Sequence, residues 1–146
     1  DPSNKEYYNE NLATFTEQLN NLDNDFKTQL SNVSNKKIVV SHEAYSYLCS
    51  AYGLEQTSID GISADSEPSP AKMKEIADYI KANNVKYIFF EELVSPKIAQ
   101  SLADETGVQL LALNPFEGLE QEDIDNGADY ISVMEENLKN LVTALK

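Results

Sequence analysis

Lys37-Ile38-Val39-Val40-Ser41-His42 is the stretch on which the architecture turns. Three consecutive β-branched residues after the turn cluster Ser31-Asn32-Val33-Ser34-Asn35 predict a short, fully buried strand. Ala44 to Tyr52 then predicts a short helix, closed by Gly53. Glu55 to Ile59 predicts a second strand, and the polar run Ser63 to Ser69, holding Pro68, a loop. Ser69-Pro70 predicts a helix start, with the hydroxyl at the N-cap and proline in the first turn. Met73, Ile76, Ala77 and Ile80 carry that helix to about Asn83. Val85 to Phe90 predicts a third strand, with Glu91-Glu92 at its carboxyl end. Ser95-Pro96 repeats the helix-start pattern, and Ile98, Ala99 and Leu102 carry the helix to Gly107. Gln109 to Leu113 predicts a fourth strand, followed by the turn Asn114-Pro115-Phe116-Glu117-Gly118. From about Asp123 one terminal helix is predicted, with Ile131, Met134, Leu138, Leu141 and Leu145 recurring at helical spacing.

Upstream of Lys37, apolar residues fall at Tyr8, Leu12, Phe15, Leu19, Leu22, Phe26 and Leu30. That spacing predicts an amphipathic helix from about Asn4 to Ser31, about 40 Å long. It is longer than a small domain is wide, so part of it is expected to pack against something outside this chain. The expected fold class is therefore α/β: a parallel four-stranded doubly wound sheet with flanking helices, preceded by a long amphipathic helix. The expected division is 1–32 for the long helix and 33–146 for the α/β lobe.

With 146 residues, 25 acidic and 11 basic, the chain carries a net charge of −14. No basic footprint exists to neutralise phosphates, and an anionic lipid surface would repel it. All eleven basic residues are lysines, so arginine phosphate clamps are absent. No apolar run reaches the roughly 18 residues of a membrane span. One cysteine (Cys49) and one histidine (His42) exclude an internal disulfide and a Cys/His zinc module held by this chain alone. The chain opens Asp1-Pro2-Ser3, which fits either a removed leader or a fragment.

Ligands of open α/β sheets gather beyond the carboxyl ends of the strands. That edge supplies His42, Glu91, Glu92 and the turn Asn114 to Glu117. No phosphate loop, dinucleotide fingerprint or nucleophile elbow is present. Glu91 and Glu92 are strand neighbours on opposite faces and are not expected to act as one acid/base pair. His42 reads either as a solvated or capping residue, or as a metal ligand with a carboxylate such as Glu117 beside it. Two ligands are too few for a stable zinc site. Between Ile98 and Leu138 lie ten acidic residues and no lysine. Such a run is usually a solvated face, though it also favours a nearby cation. Cys49 reads as a buried small hydrophobe.

Several of these segments are familiar in combination. Val40-Ser41-His42-Glu43-Ala44-Tyr45-Ser46-Tyr47-Leu48 with Ala51-Tyr52-Gly53-Leu54 resembles a segment of the metal-binding solute-binding proteins of zinc and manganese ABC importers, the adhesin/lipoprotein family. Ile62 to Pro70, Tyr87 to Ser95, Leu111 to Glu117 and Tyr130 to Leu141 resemble further segments of it. Residues 1–19 resemble the start of its inter-lobe helix. The resemblance implies two α/β lobes joined by a rigid helix, each supplying part of a metal shell between them. It implies that His42 is the first ligand of the carboxyl lobe and Glu117 the last carboxylate ligand. It implies zinc as cargo, with manganese second, since histidine replaces a carboxylate. It also implies a non-enzymatic, extracellular, lipid-anchored protein of a Gram-positive cell that delivers its ion to an ABC permease. The amino-terminal lobe, with its histidine ligands, is not in this chain, and the apolar side of the long helix is a possible dimer surface. The competing expectations are a small α/β enzyme using His42 as general base with Glu91 or Glu117, and an interaction lobe without metal.

Overall fold

A computed structural model describes residues 1–59 and 68–146. Most of the loop expected at Ser63 to Ser69, and most of the segment Ile62 to Pro70, lie outside the described residues. A short 3-10 turn, Pro2–Asn4, leads into helix α1, Lys5–Ser31. There follow β1 (Lys37–Val40), α2 (Ser46–Tyr52), β2 (Glu55–Ser58), α3 (Pro70–Ala82), β3 (Tyr87–Phe90) and α4 (Lys97–Thr106). The chain closes with β4 (Gln109–Ala112), α5 (Gln121–Asp125) and α6 (Tyr130–Leu145).

The four strands form one sheet in the order β2-β1-β3-β4, and all three pairings are parallel. The expected α/β class is what the structure shows. From β1 the chain winds outward to β2, then returns to β3 and winds the other way to β4. The switch point therefore lies between β1 and β3, where a crevice opens beyond the carboxyl ends.

Alternation along the strands sends side chains to opposite faces. Ile38, Val40 and Phe89 meet Leu22, Phe26 and Leu30 of α1, Cys49 of α2, and Leu138, Leu141 and Leu145 of α6. Val39 and Ile88 meet Ile76, Ala77 and Ile80 of α3 and Ala99 and Leu102 of α4. Both faces are thus covered, as a parallel sheet requires. Cys49 is a buried free thiol, and burial pushes its pKa up to about 11.

Helix α1 joins this core only through its last third. Leu22, Phe26 and Leu30 are buried, whereas Tyr7, Tyr8, Leu12 and Phe15 on the same stripe are exposed. The Ser69 hydroxyl caps α3 by accepting from the Lys72 amide. At α4 the equivalent expectation fails. Pro96 itself holds the cap position and no side chain caps the helix. The single terminal helix expected from Asp123 is two helices. Gly127 takes a left-handed φ of 82° between them. Asp129 then restarts the chain as α6 through a capping box with Ser132.

Candidate metal centre

The Ser41 amide donates to the Phe89 carbonyl, so β1 and β3 stay in register one residue past the ladder. His42 and Glu91 leave these adjacent strands side by side at the switch point. Both are buried, at 7% and 4% exposure. His42 Nδ1 lies 2.5 Å from Glu91 Oε1. A carboxylate can only accept, so the ring proton is assigned to Nδ1 and Nε2 is left as a lone-pair donor. Burial pushes the Glu91 carboxyl above its ordinary range; the His42 contacts pull it down, and the Glu117 charge adds to the rise. Across the crevice, His42 Nε2 lies 3.9 Å from Glu117 Oε1, whose side chain is exposed.

Glu117 arrives on the loop after β4. The Leu113 amide continues the sheet by donating to the Phe90 carbonyl. Beyond it, the buried Asn137 of α6 replaces a strand partner: the Asn114 amide donates to Asn137 Oδ1, and Asn137 Nδ2 donates to the Asn114 carbonyl, both at 2.8 Å. Asn114 Oδ1 accepts from the Phe116 amide at 2.7 Å, an Asx turn. Phe116 is held in the left-handed region, at φ 60°. The buried Tyr45 hydroxyl donates to the Leu113 carbonyl at 2.5 Å, tying the segment after His42 to the loop before Glu117. Burial, with the charges of Glu91 and Glu117, pushes that phenol upward.

The structure thus brings the predicted pair His42 and Glu117 together and adds Glu91 behind the imidazole. Glu92 does not join the His42 pair; it accepts from Asn114 Nδ2 on the loop after β4. The acids Glu120, Glu122, Asp125 and Asp129 are exposed. Tyr45 and Asn137 carry the loops without being foreseen. Asn137 did leave a trace, as an amide beside Leu138 and Leu141 on an otherwise apolar helix face.

Nε2 is a neutral nitrogen donor and Glu117 Oε1 an anionic oxygen donor, a set that suits zinc. Tetrahedral zinc with bonds of about 2.0–2.1 Å needs its ligand atoms about 3.3 Å apart. The observed 3.9 Å is within reach of a small rotation of the exposed glutamate. Among the described residues no group of three or more His, Cys, Asp or Glu side chains is placed to hold a metal. The described donor set fits the ion and supplies part of a shell.

A family model described as zinc-uptake complex component A, periplasmic, matches residues 1–144. The zinc-binding lipoprotein AdcA of Streptococcus pneumoniae is 44% identical over 140 residues, which is 96% of this chain and 28% of that protein. The high-affinity zinc uptake system protein ZnuA of Bacillus subtilis is 41% identical over 145 residues, 99% of this chain and 46% of that protein. The crystal structure of the Zn(II)-bound ZnuA-like domain of S. pneumoniae AdcA superimposes with a TM-score of 0.83 at 43% identity, covering 99% of this chain and 54% of that one. The chain therefore spans less than half the length of these two curated relatives.

Proposed function

This chain belongs to the zinc-uptake complex component A family, and from that premise we propose that it is the carboxyl-terminal lobe of a two-lobed zinc-capture protein. In this reading residues 1–32 join the lobes and residues 33–146 form the metal-binding lobe. His42 Nε2 and the Glu117 carboxylate are the ligands this lobe supplies, and zinc is the cargo. The partner lobe completes the shell, which agrees with a donor set of two among the described residues. The protein works outside the cell, tethered as a lipoprotein, and hands its ion to an ABC permease. It is not an enzyme.

The observation that carries this reading is the convergence of His42 Nε2 on Glu117 Oε1 while Nδ1 is committed to Glu91. A general base would be oriented in the same way, but its free nitrogen would face a hydroxyl, thiol or substrate proton. Here it faces a carboxylate, and nitrogen opposite oxygen is an arrangement for a cation between them. The adjoining hollow, lined by Glu91, Glu92, Leu93, Asn114 and Glu117, measures about 30 Å³.

Tyr7, Tyr8, Leu12 and Phe15 on the free part of α1 are assigned to contact with the partner lobe. In its absence they are the surface through which two copies pair, and a monomer by light scattering at high concentration removes that pairing.

Calorimetric zinc titration tests the site. The chain should bind zinc at roughly micromolar affinity or weaker, since its shell is incomplete. His42→Ala and Glu117→Ala should each lower that affinity at least tenfold. Equal zinc binding by both variants and the unaltered chain would refute the assignment.

A further inference from the structure

We infer that Asn137 of α6, acting through Asn114, is the positioning residue for the metal ligand Glu117; this rests on the zinc-capture reading above. The Glu117 loop has little packing beneath it. Behind it lies a cavity of about 250 Å³, bordered by Ala112, Asn114, Leu119, Val133 and Asn137. Hydrogen bonds therefore set the height of the loop above the sheet. Asn137 supplies both of them to the Asn114 backbone, each at 2.8 Å. From α6 the neighbouring Asn140 adds a third, donating to the Ala112 carbonyl at 3.1 Å. Its amide thus acts as a short extra strand that prolongs β4 by two residues.

The consequence is carried forward by Asn114. With its backbone fixed, its Oδ1 captures the Phe116 amide and closes the Asx turn. Phe116 then adopts a left-handed conformation that a non-glycine residue rarely takes without surrounding support. The Phe116 ring is also pinned from α6, edge-on to Tyr130 with centroids 5.1 Å apart. Glu117 is the next residue. Its side chain is exposed and, among the described residues, makes no hydrogen bond that would orient it, so its reach toward His42 Nε2 is set by the backbone beneath it. Buried amides with all their groups satisfied serve to specify one geometry, and here that geometry is the position of an anionic ligand.

The test is a double-mutant cycle on the chain, read as zinc affinity by competition with a chromophoric chelator. Circular dichroism checks folding. Asn137→Leu keeps the side-chain volume and removes both hydrogen bonds. It should weaken zinc binding about tenfold, the lower end for outer partners of metal ligands. In a Glu117→Gln background the same change should have less than about a twofold effect, because the ligand it positions is already disabled. Nitrogen-15 relaxation should show the Phe116 and Glu117 amides loosened in Asn137→Leu, with those of α3 unchanged. Should Asn137→Leu fail to fold, Asn114→Ala replaces it: it opens the Asx turn from a half-exposed position and should give the same cycle. A folded variant with unaltered affinity overturns the proposal, as does an equal loss in both backgrounds. If Glu117→Gln weakens binding and the asparagine variants do not, this inference falls alone. If Glu117→Gln also binds normally, the zinc-site reading falls with it.

Discussion

Replacing Glu91 tests how the His42 imidazole is held. Its carboxylate sits 2.5 Å from His42 Nδ1, with both side chains buried. Hydrogen bonds to a charged partner contribute about 1.5–3 kcal/mol. Outer partners of a metal-ligating histidine are typically worth 10–100-fold in metal affinity, about 1.4–2.8 kcal/mol. The two ranges coincide, so Glu91→Leu should weaken zinc binding by about that factor. Glu91→Gln keeps an acceptor oxygen and loses only the charge, so it should fall between. Stability should fall as well. Leucine leaves the buried His42 Nδ1–H without an acceptor, a cost of about 1–3 kcal/mol, offset in part because burial already opposes ionisation of Glu91. The assays are chelator competition for affinity and thermal unfolding for stability. The chain has one histidine, so its nitrogen-15 spectrum contains a single imidazole and reports the tautomer without assignment. The metal-free chain at neutral pH should show a protonated Nδ1, and Glu91→Leu should mix the two tautomers. A protonated Nε2 in the unaltered chain, or unchanged zinc affinity in Glu91→Leu, would refute the argument.

Along the single apolar stripe of α1, Leu30→Ala should cost about 2–5 kcal/mol in denaturant unfolding, while Leu12→Ala should change stability by less than about 0.5 kcal/mol, since Leu30 is buried and Leu12 exposed. Glu91 also sets a pH trend: its pKa is raised in the fold, so its contribution is complete below its ordinary 4.5 and is lost as pH rises through the higher folded value. Glu91→Gln should flatten the unfolding midpoint over that window. Asp129 has the opposite sign. The Ser132 backbone and hydroxyl hold its carboxyl below the ordinary 3.8, so its support for α6 is present above 3.8 and is lost as pH falls through the lower folded value. Asp129→Asn, which still caps, should remove that acid sensitivity in a helicity titration.

Much of the fold was legible because its signals are local. Three β-branched residues mark β1, and seven apolar positions at helical spacing mark α1. The break between α5 and α6 was hidden because apolar spacing continues across it; the stop is made by the backbone of Gly127 and the cap at Asp129. Ser95-Pro96 copied the pattern of Ser69-Pro70, yet only Ser69 turns its hydroxyl to the helix. His42 and Glu117 were reachable from the rule of strand carboxyl ends, strengthened by family resemblance. Glu91 reads from sequence as a strand-end candidate and as a catalytic partner of His42, not as the support of a ligand. Its place behind the imidazole depends on β1 lying beside β3, a pairing 49 residues apart. Asn137 was beyond reach for the same reason, since its meaning lies in a loop 23 residues earlier.

The position of α6 in the chain has a bearing on biosynthesis. It follows every other described element, yet it completes the core that α1 begins and receives the Ser34 and Asn35 amides on its Leu145 carbonyl. The opposite face, built from α3 and α4, needs nothing from it. A nascent chain that has emerged only to Ala128 can therefore assemble one side of the sheet, while the other, covered by α1 and α2, still lacks α6. The loop bearing Glu117 would by then be synthesised but unsupported, because Asn137 is still to come. On the proposed reading, the ligand loop gains its support only once α6 has been made.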